Sequence, residues 1–276
     1  MKAKLFTNLP SRKFNGVVAM SCACSISANA VTVDSEIVIL VDGQTFSQPS
    51  FDLALEGVAQ AFEQQSFIDS VVSGPFGSIA ASVIVFGSGG TTTQIPWMEL
   101  SSAGELQTFA NSVRNITAPP SFGTISYVDA IAAGAASIAA STVEGTFTQL
   151  TIIEDGGFFF FSDTGAEIQA ARDTALANGV DVINSVVYNA AGRVEAIQDF
   201  YDANVASGGE QGTATVIGGS FFGAPNAAIT DVINESVSES ITQPTIDANS
   251  LASIPEPTTA LLAAFSSLIL LSRRRS

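Results

Sequence analysis

Short apolar runs alternate with amphipathic stretches along most of the chain. Continuous apolar runs rich in β-branched residues are typical of strands buried on both faces of a parallel sheet. Strands are predicted at residues 36–41, 79–87, 148–153, 180–188 and 213–218. The segment TTTQIPW at 91–97 alternates in polarity and contains Pro96, which favours a strand at the edge of the sheet.

Between these runs, the apolar residues recur with the spacing of a helix face. In the first such stretch they are Phe51, Leu55, Val58, Ala59 and Phe62. Helices are predicted at residues 51–65, 102–113, 125–141, 164–178, 193–205 and 223–237. Gly179 is expected to end the fourth of them. The alternation predicts an α/β fold, with a doubly wound, mostly parallel sheet, helices on both faces and one antiparallel edge strand.

The beginning of the chain has the three parts of a secretory signal peptide. Basic residues precede a short apolar run at 16–28, and Ala28 and Ala30 form a small-residue cleavage site. We therefore expect a signal peptide over residues 1–30, passage through the secretion translocon and a mature chain that begins near Val31. A transmembrane anchor is the alternative, but the run is too short and too rich in serine for one.

The end of the chain carries a second targeting pattern. Pro255, Glu256 and Pro257 precede an apolar segment of 15 residues, which ends at Arg273, Arg274 and Arg275. As a helix, the segment would span roughly 22 Å, less than a typical bilayer core of about 30 Å, although flanking residues can extend its reach. The arginines would stay on the cytoplasmic side of an inner membrane.

These C-terminal residues resemble the PEP-CTERM sorting tag of Gram-negative bacteria. The resemblance implies transient insertion into the inner membrane and processing by an exosortase-type transpeptidase. It also implies delivery to the cell envelope, the outer surface or the extracellular matrix. An ordinary tail anchor is the alternative. The expected organisation is a signal peptide over 1–30, one domain over 31–240, a flexible spacer over 241–254 and the tag over 255–276.

Composition restricts the chemistry open to the body of the protein. Both cysteines lie inside the signal peptide, and the chain contains no histidine, so thiol chemistry, histidine-dependent catalysis and histidine-bound zinc are excluded. Residues 31–252 hold three arginines against 25 acidic residues, a net charge of −22. Such a charge argues against binding to nucleic acid or to an anionic membrane. Any metal ion would have to be bound by oxygen atoms.

Three polar segments follow predicted strands or precede a predicted helix, and they should meet at one edge of the sheet. They are Asp42–Ser47, Gly123–Thr124 and Glu154–Gly157. Together with Ile95-Pro96-Trp97 and Phe200-Tyr201, these segments resemble the von Willebrand factor A domain. More narrowly, they resemble a family of exported bacterial A-like proteins of unknown function.

The resemblance implies a metal-ion-dependent adhesion site for Mg²⁺ or Mn²⁺, completed by a partner's carboxylate. Asp42 matches the first aspartate and Thr124 the threonine, whereas Gln44 and Phe46 stand where two serines are expected. Asp155 lies one position before the expected last aspartate. Thr45 and Ser47 are possible substitute ligands if the turn is remodelled. The alternative is a decayed site, in which Asp42 and Thr124 make only turn and cap hydrogen bonds.

Four consecutive aromatic residues follow the last of these segments. They are Phe158, Phe159, Phe160 and Phe161. Exposed in a loop, they would form an apolar contact surface, and folded down they would pack against the helix at 164–178.

Three functions remain open from the sequence. The first is a non-enzymatic adhesion or interaction module that contacts a surface protein or a polysaccharide. The second is a structural protein of the extracellular matrix without a specific ligand. The third is an envelope hydrolase that uses Asp42, Glu154 and Asp155 as acid and base, although the usual catalytic geometries lack their histidine or nucleophile.

Overall fold

A computed structural model gives the fold of the chain. It describes residues 30–44, 48–117, 124–155, 162–188, 194–207, 212–216, 229–235 and 241. The strands are β1 Val31–Val33, β2 Ser35–Asp42, β3 Ile79–Gly87, β4 Gly90–Leu100, β5 Val143–Gly145, β6 Thr148–Glu154, β7 Val182–Val187 and β8 Ala214–Val216. The helices are α1 Gln48–Glu63, α2 Gln65–Ser73, α3 Ala103–Arg114, α4 Tyr127–Ala139, α5 Gly165–Ala177 and α6 Val194–Asn204. Residues 229–235 are also helical.

Six of the strands form one sheet in the order β4-β3-β2-β6-β7-β8. Every neighbouring pair in it is parallel except β3 and β4, which are antiparallel. From β2 the chain builds outward to β3 and β4, and from β6 it builds outward in the other direction. The order in which successive strands are added to the sheet therefore reverses between the parallel neighbours β2 and β6. This is the predicted doubly wound α/β fold with one antiparallel edge strand.

Helices cover both faces of the sheet because its strands are apolar on both sides. All eight residues of β2 are buried. On one face the core includes side chains of α1, α2 and α3, and on the other it includes side chains of α4, α5 and α6. The predicted apolar face of α1 is buried at all five positions, and the Phe62 ring lies 4.5 Å from that of Phe109 on α3. The sequence pattern therefore placed the core correctly.

Three elements were not predicted. The first helix ends at Glu63, because Gln64 takes an extended conformation (φ −65°, ψ 131°), and α2 then begins at Gln65. No glycine or proline marks this break in the sequence. Strands β1 and β5 are only three residues long and pair with each other. They are too short to show a periodicity.

The beginning and the last described residue of the domain lie near the amino ends of the parallel strands. Strand β1 leads directly into β2, and the Asp34 carboxylate between them accepts the Phe76 N–H at 3.0 Å. Ile241 also approaches this region, since a Cβ atom on Gly74 would lie 3.2 Å from its Cγ2. Asp34 and Ile241 thus lie at the same end of the sheet, beside the amino ends of its parallel strands.

The described residues contain no helix that is both long and apolar enough to cross a membrane. Both targeting segments fall outside this part of the chain, apart from Ala30. The transmembrane interpretation of the segment between Pro257 and Arg273 therefore stays a prediction.

Candidate functional site

The candidate site lies at the carboxyl ends of β2 and β6, between which the order of the strands reverses. Val41 of β2 is paired with Ile153 of β6. The next residues, Asp42 and Glu154, therefore lie side by side at the carboxyl ends of the two strands, and Asp155 follows directly. All three acidic residues are buried. In open α/β sheets, the crevice at such a reversal is the usual place for a ligand.

Glu154 is held by two tyrosines. The hydroxyl groups of Tyr127, in the first turn of α4, and of Tyr201, on α6, both donate hydrogen bonds to its carboxylate. The two hydroxyl oxygens lie 2.6 Å apart. Complete burial raises the pKa of Glu154 to about 7, although the two tyrosine hydrogen bonds act in the opposite direction. The carboxyl group is thus enclosed, and each of its oxygen atoms accepts a hydrogen bond from a tyrosine.

Asp42 closes the turn that follows β2. Its Oδ1 accepts the Gln44 N–H at 2.8 Å. Burial raises the pKa of Asp42 well above its ordinary value, and the nearby charges of Glu154 and Asp155 raise it further. The side chain of Gln44 bonds elsewhere: its Oε1 accepts a hydrogen bond from the Ser88 N–H at 3.0 Å. The residue that replaces the first expected serine therefore joins the turn after β2 to the turn between β3 and β4.

A third tyrosine completes the surroundings of these acids. Tyr188, just after β7, is buried and donates to the Ser50 carbonyl at 3.3 Å. Burial raises the pKa of Tyr188 well above its usual range, and the charges of Asp155 and Asp42 add to this effect. The chain has only three tyrosines, and all of them lie around this group of acids.

Sequence reasoning missed this tyrosine cluster. Phe200-Tyr201 entered the sequence argument only as a family marker, and Tyr127 and Tyr188 did not enter it. A usable signal exists, because a rare residue type recurs at the start of a helix, at the end of a strand and within a later helix. Only the fold shows that these three places converge.

Thr124 lies on the exposed approach to α4. The N-cap of that helix is Ser126, whose Oγ accepts the Asp129 N–H at 3.0 Å. The interpretation of Thr124 as the cap of this helix is therefore wrong, because the chain turns into the helix two residues later. Asp163 holds the start of α4 in place, since its carboxylate accepts a hydrogen bond from the Val128 N–H at 3.0 Å.

The described residues include no group of three or more acidic, histidine or cysteine side chains that could hold a metal ion. The predicted ligands that lie within the described residues are Asp42, Asp155 and Thr124. The predicted substitutes Thr45 and Ser47, and the aromatic segment Phe158 to Phe161, lie outside the described residues. Two of the three segments expected to meet thus come together through Asp42, Glu154 and Asp155.

The basic residues that the structure describes form ion pairs away from the acidic cluster. Arg114 bridges Glu56 and Glu63, and Arg172 pairs with Asp173. The arrangement at the edge therefore offers hard oxygen atoms in a buried, acidic setting, which is the donor chemistry that divalent cations such as Mg²⁺ prefer.

Comparison with known proteins supports a family and a fold. The model of a family described as "Protein of unknown function (DUF1194)" matches residues 32–219. No curated protein matches the chain significantly in sequence.

Solved structures with a similar fold come from several contexts. The pilus adhesin SpaC of Lactobacillus rhamnosus GG is 12% identical, with a TM-score of 0.53 over 77% of this chain and 31% of that one. The VWA domain of SpRpn10 is 12% identical, with a TM-score of 0.49 over 73% of this chain and 95% of that one.

A third structure is proximal thread matrix protein 1 from the mussel byssus, with a zinc-occupied MIDAS motif. It is 13% identical, with a TM-score of 0.47 over 74% of this chain and 46% of that one. This chain thus spans less than half of the adhesin and of the matrix protein. At these identities the likeness concerns the fold alone, which is von Willebrand factor A-like.

Proposed function

The chain belongs to the family of proteins of unknown function DUF1194. We propose that it is an exported, non-enzymatic interaction module. Its binding site is the edge of the sheet that carries Asp42, Glu154 and Asp155. Its partner is a protein or a polysaccharide at the cell surface or in the extracellular matrix.

One observation carries this proposal. Three buried acidic residues converge where the sheet reverses direction between β2 and β6. Burying several carboxyl groups together is costly, because desolvation and mutual repulsion both oppose their ionised forms. A fold that needed only a packed core would gain more stability from apolar residues at these positions. The cluster is therefore better explained by a ligand than by folding.

The fitting ligand is a divalent cation, Mg²⁺ or Mn²⁺, at Asp42 and Asp155. Both ions prefer oxygen ligands, and Mg²⁺ commonly uses one or two protein carboxylates and keeps several waters. The absence of a larger acidic group among the described residues is compatible with such a site. The Thr124 hydroxyl is the third proposed ligand. A bound cation would offset both the burial and the repulsion from Glu154 and Asp155 that raise the pKa of Asp42, and it would present an open position to a partner's carboxylate.

The setting of Glu154 favours binding over hydrolysis. A general acid or base must reach the substrate, directly or through one water. The Glu154 carboxylate is completely buried and accepts hydrogen bonds from Tyr127 and Tyr201. We assign Glu154 a positioning role, in which it fixes the end of β6 and so the place of Asp155.

Export is the second part of the proposal. The pattern over residues 1–30 and the Pro-Glu-Pro, apolar and arginine pattern over 255–276 support passage through the translocon and processing by an exosortase-type enzyme. The proposed destination is the envelope, outer surface or matrix of a Gram-negative bacterium.

Calorimetric titration of the full chain with Mn²⁺, and separately with Mg²⁺, tests the site. We expect binding heat from the unaltered protein and its loss in Asp42→Asn and in Asp155→Asn. Asp129→Asn, which changes an exposed acid in the first turn of α4, is the matched control and should bind like the unaltered protein. No heat at millimolar metal would remove the cation from the proposal and favour a structural matrix protein without a specific ligand.

A further inference from the structure

The outer edge of the sheet at β4 is open. β4 has one neighbour, β3, and none of the described segments pairs with its other side. Residues 90–94 are all exposed. An edge of this kind presents a row of backbone N–H and C=O groups that another strand can pair with.

This edge lacks two of the usual protections against pairing, because it carries no charged side chain before Glu99 and is not short. Natural proteins shield exposed edges with charged side chains, prolines, bulges or very short strands. No charged residue occurs between Asp69 and Glu99, and the exposed segment reads Gly-Thr-Thr-Thr-Gln. The described part of the strand at the opposite edge, β8, has three residues. Pro96 and the register shifts on either side of Ile95 limit the regular ladder of β4 to residues 90–93.

Charge makes this edge the favourable place for two copies to meet. The body of the chain carries a net charge of −22, so two copies repel each other across most of their surfaces. The hairpin of β3 and β4 is free of acidic groups up to Glu99, so an approach along it brings the fewest like charges together. An antiparallel strand pair is also self-complementary, as a two-fold symmetric contact requires.

We propose that β4 pairs antiparallel with β4 of a second copy about a two-fold axis, which joins the two sheets into one. The contact uses the backbone of residues 90–93, with the threonine side chains facing one another across the pair. It involves neither Asp42 nor Asp155, so the two binding edges of the dimer remain available.

The size of the contact sets its strength. A pair of such short strands buries less than the roughly 800 Å² per partner of a standard interface. The dimer is therefore weak in dilute solution and forms as concentration rises. Holding many copies on one surface raises their effective concentration and favours pairing without any new contact.

Single-cysteine cross-linking tests the proposal directly. The full chain carrying Cys22→Ser and Cys24→Ser provides a background without thiols. Thr91→Cys, Thr92→Cys, Thr93→Cys and Gln94→Cys are then oxidised one at a time, with Thr108→Cys on the exposed surface of α3 as the control. Disulfides need Cα atoms within about 7 Å, so the yield should peak at the position nearest the two-fold axis and exceed the control several-fold. Yields equal to the control along the whole strand would overturn the proposal.

A charge variant provides the second measurement. Thr92→Glu places two like charges close to each other across the proposed pair, whereas Thr108→Glu adds the same charge to α3. In sedimentation of the full chain, we expect the mean mass of the unaltered protein and of Thr108→Glu to rise toward two chains with concentration. Thr92→Glu should stay at one chain, with an unchanged circular dichroism spectrum. A single-chain mass for the unaltered protein, or association of Thr92→Glu like the control, would refute the pairing.

Discussion

Tyr127 and Tyr201 are 74 residues apart in the sequence, yet their hydroxyl oxygens lie 2.6 Å from each other, and both donate to the carboxylate of Glu154. Their rings meet edge to face at 5.9 Å. This contact ties α4 and α6 to the end of β6 and so fixes the place where the acidic cluster begins. The stability of the fold and the geometry of the site therefore depend on the same side chains.

The pKa of Glu154 predicts how stability changes with pH. Its folded-state pKa of about 7 lies above the ordinary value of 4.5, so the folded protein holds the proton more tightly than the unfolded chain. Its contribution is fully present below about pH 4.5 and is lost as the pH rises to about 7, a change of about 3 kcal/mol. We expect Glu154→Gln to flatten the fall in melting temperature between pH 5 and about 7.5. Glu99→Gln, an exposed acid, should leave the slope unchanged, and an equal slope in Glu154→Gln would contradict the assignment.

Removing one tyrosine hydroxyl should destabilise the protein. Tyr127→Phe and Tyr201→Phe each delete a donor to a buried carboxyl group, at a cost of about 1–3 kcal/mol in the free energy of unfolding. Urea denaturation at a fixed pH measures this cost. Tyr188→Phe serves as the comparison, because its 3.3 Å bond to the Ser50 carbonyl is longer and involves a neutral acceptor. If Tyr188→Phe lowers the free energy of unfolding as much as the other two variants do, the hydrogen bonds to Glu154 contribute no more than an ordinary buried hydrogen bond.

Arg114 is expected to clamp α1 to α3. Its guanidinium pairs with Glu56 at 2.7 Å and also with Glu63, while all three side chains remain partly exposed. Because solvent and salt screen such pairs, we expect Arg114→Ala to cost only about 1 kcal/mol, and less at high salt. A double-mutant cycle of Arg114→Ala with Glu63→Gln, measured at two salt concentrations, isolates the coupling. A coupling energy that does not change with salt would argue against an ion pair.

The C-terminal tag is testable by cell fractionation. Deletion of residues 255–276 should abolish retention in the envelope, and unchanged surface localisation would count against sorting by this segment. Pro255→Ala combined with Pro257→Ala leaves the apolar segment intact. A sorting tag predicts that this variant inserts into the inner membrane but is not processed, whereas a tail anchor predicts normal behaviour. The mobility of the protein on a gel distinguishes the processed from the unprocessed form.

The fold was predictable because its signals are local. Strand β2 is apolar along its length, and the buried positions of α1 recur with helical spacing, so each element is visible in its own segment. The candidate site was only partly predictable. Asp42 and Asp155 follow strands and could be placed at the sheet edge, but the tyrosine cluster depends on three distant elements.

The role of Gln44 was equally hidden. Its side chain accepts the N–H of Ser88, 44 residues away. A sequence comparison can identify Gln44 as a departure from a ligand pattern, but it cannot show that the side chain joins two turns. That contact depends on the pairing of β2 with β3.

The position of Ile241 beside Gly74 has a mechanical consequence. If the proposed tether follows Ile241 and the proposed partner binds at Asp42 and Asp155, the tether pulls from the amino ends of the strands and the partner pulls from their carboxyl ends. Tension between anchor and partner then runs along the strands and loads the hydrogen bonds of β2 and its neighbours in shear, so they must break together and not one after another. Traction from those two points should accordingly meet greater resistance than traction applied across the sheet, a difference that single-molecule stretching would measure.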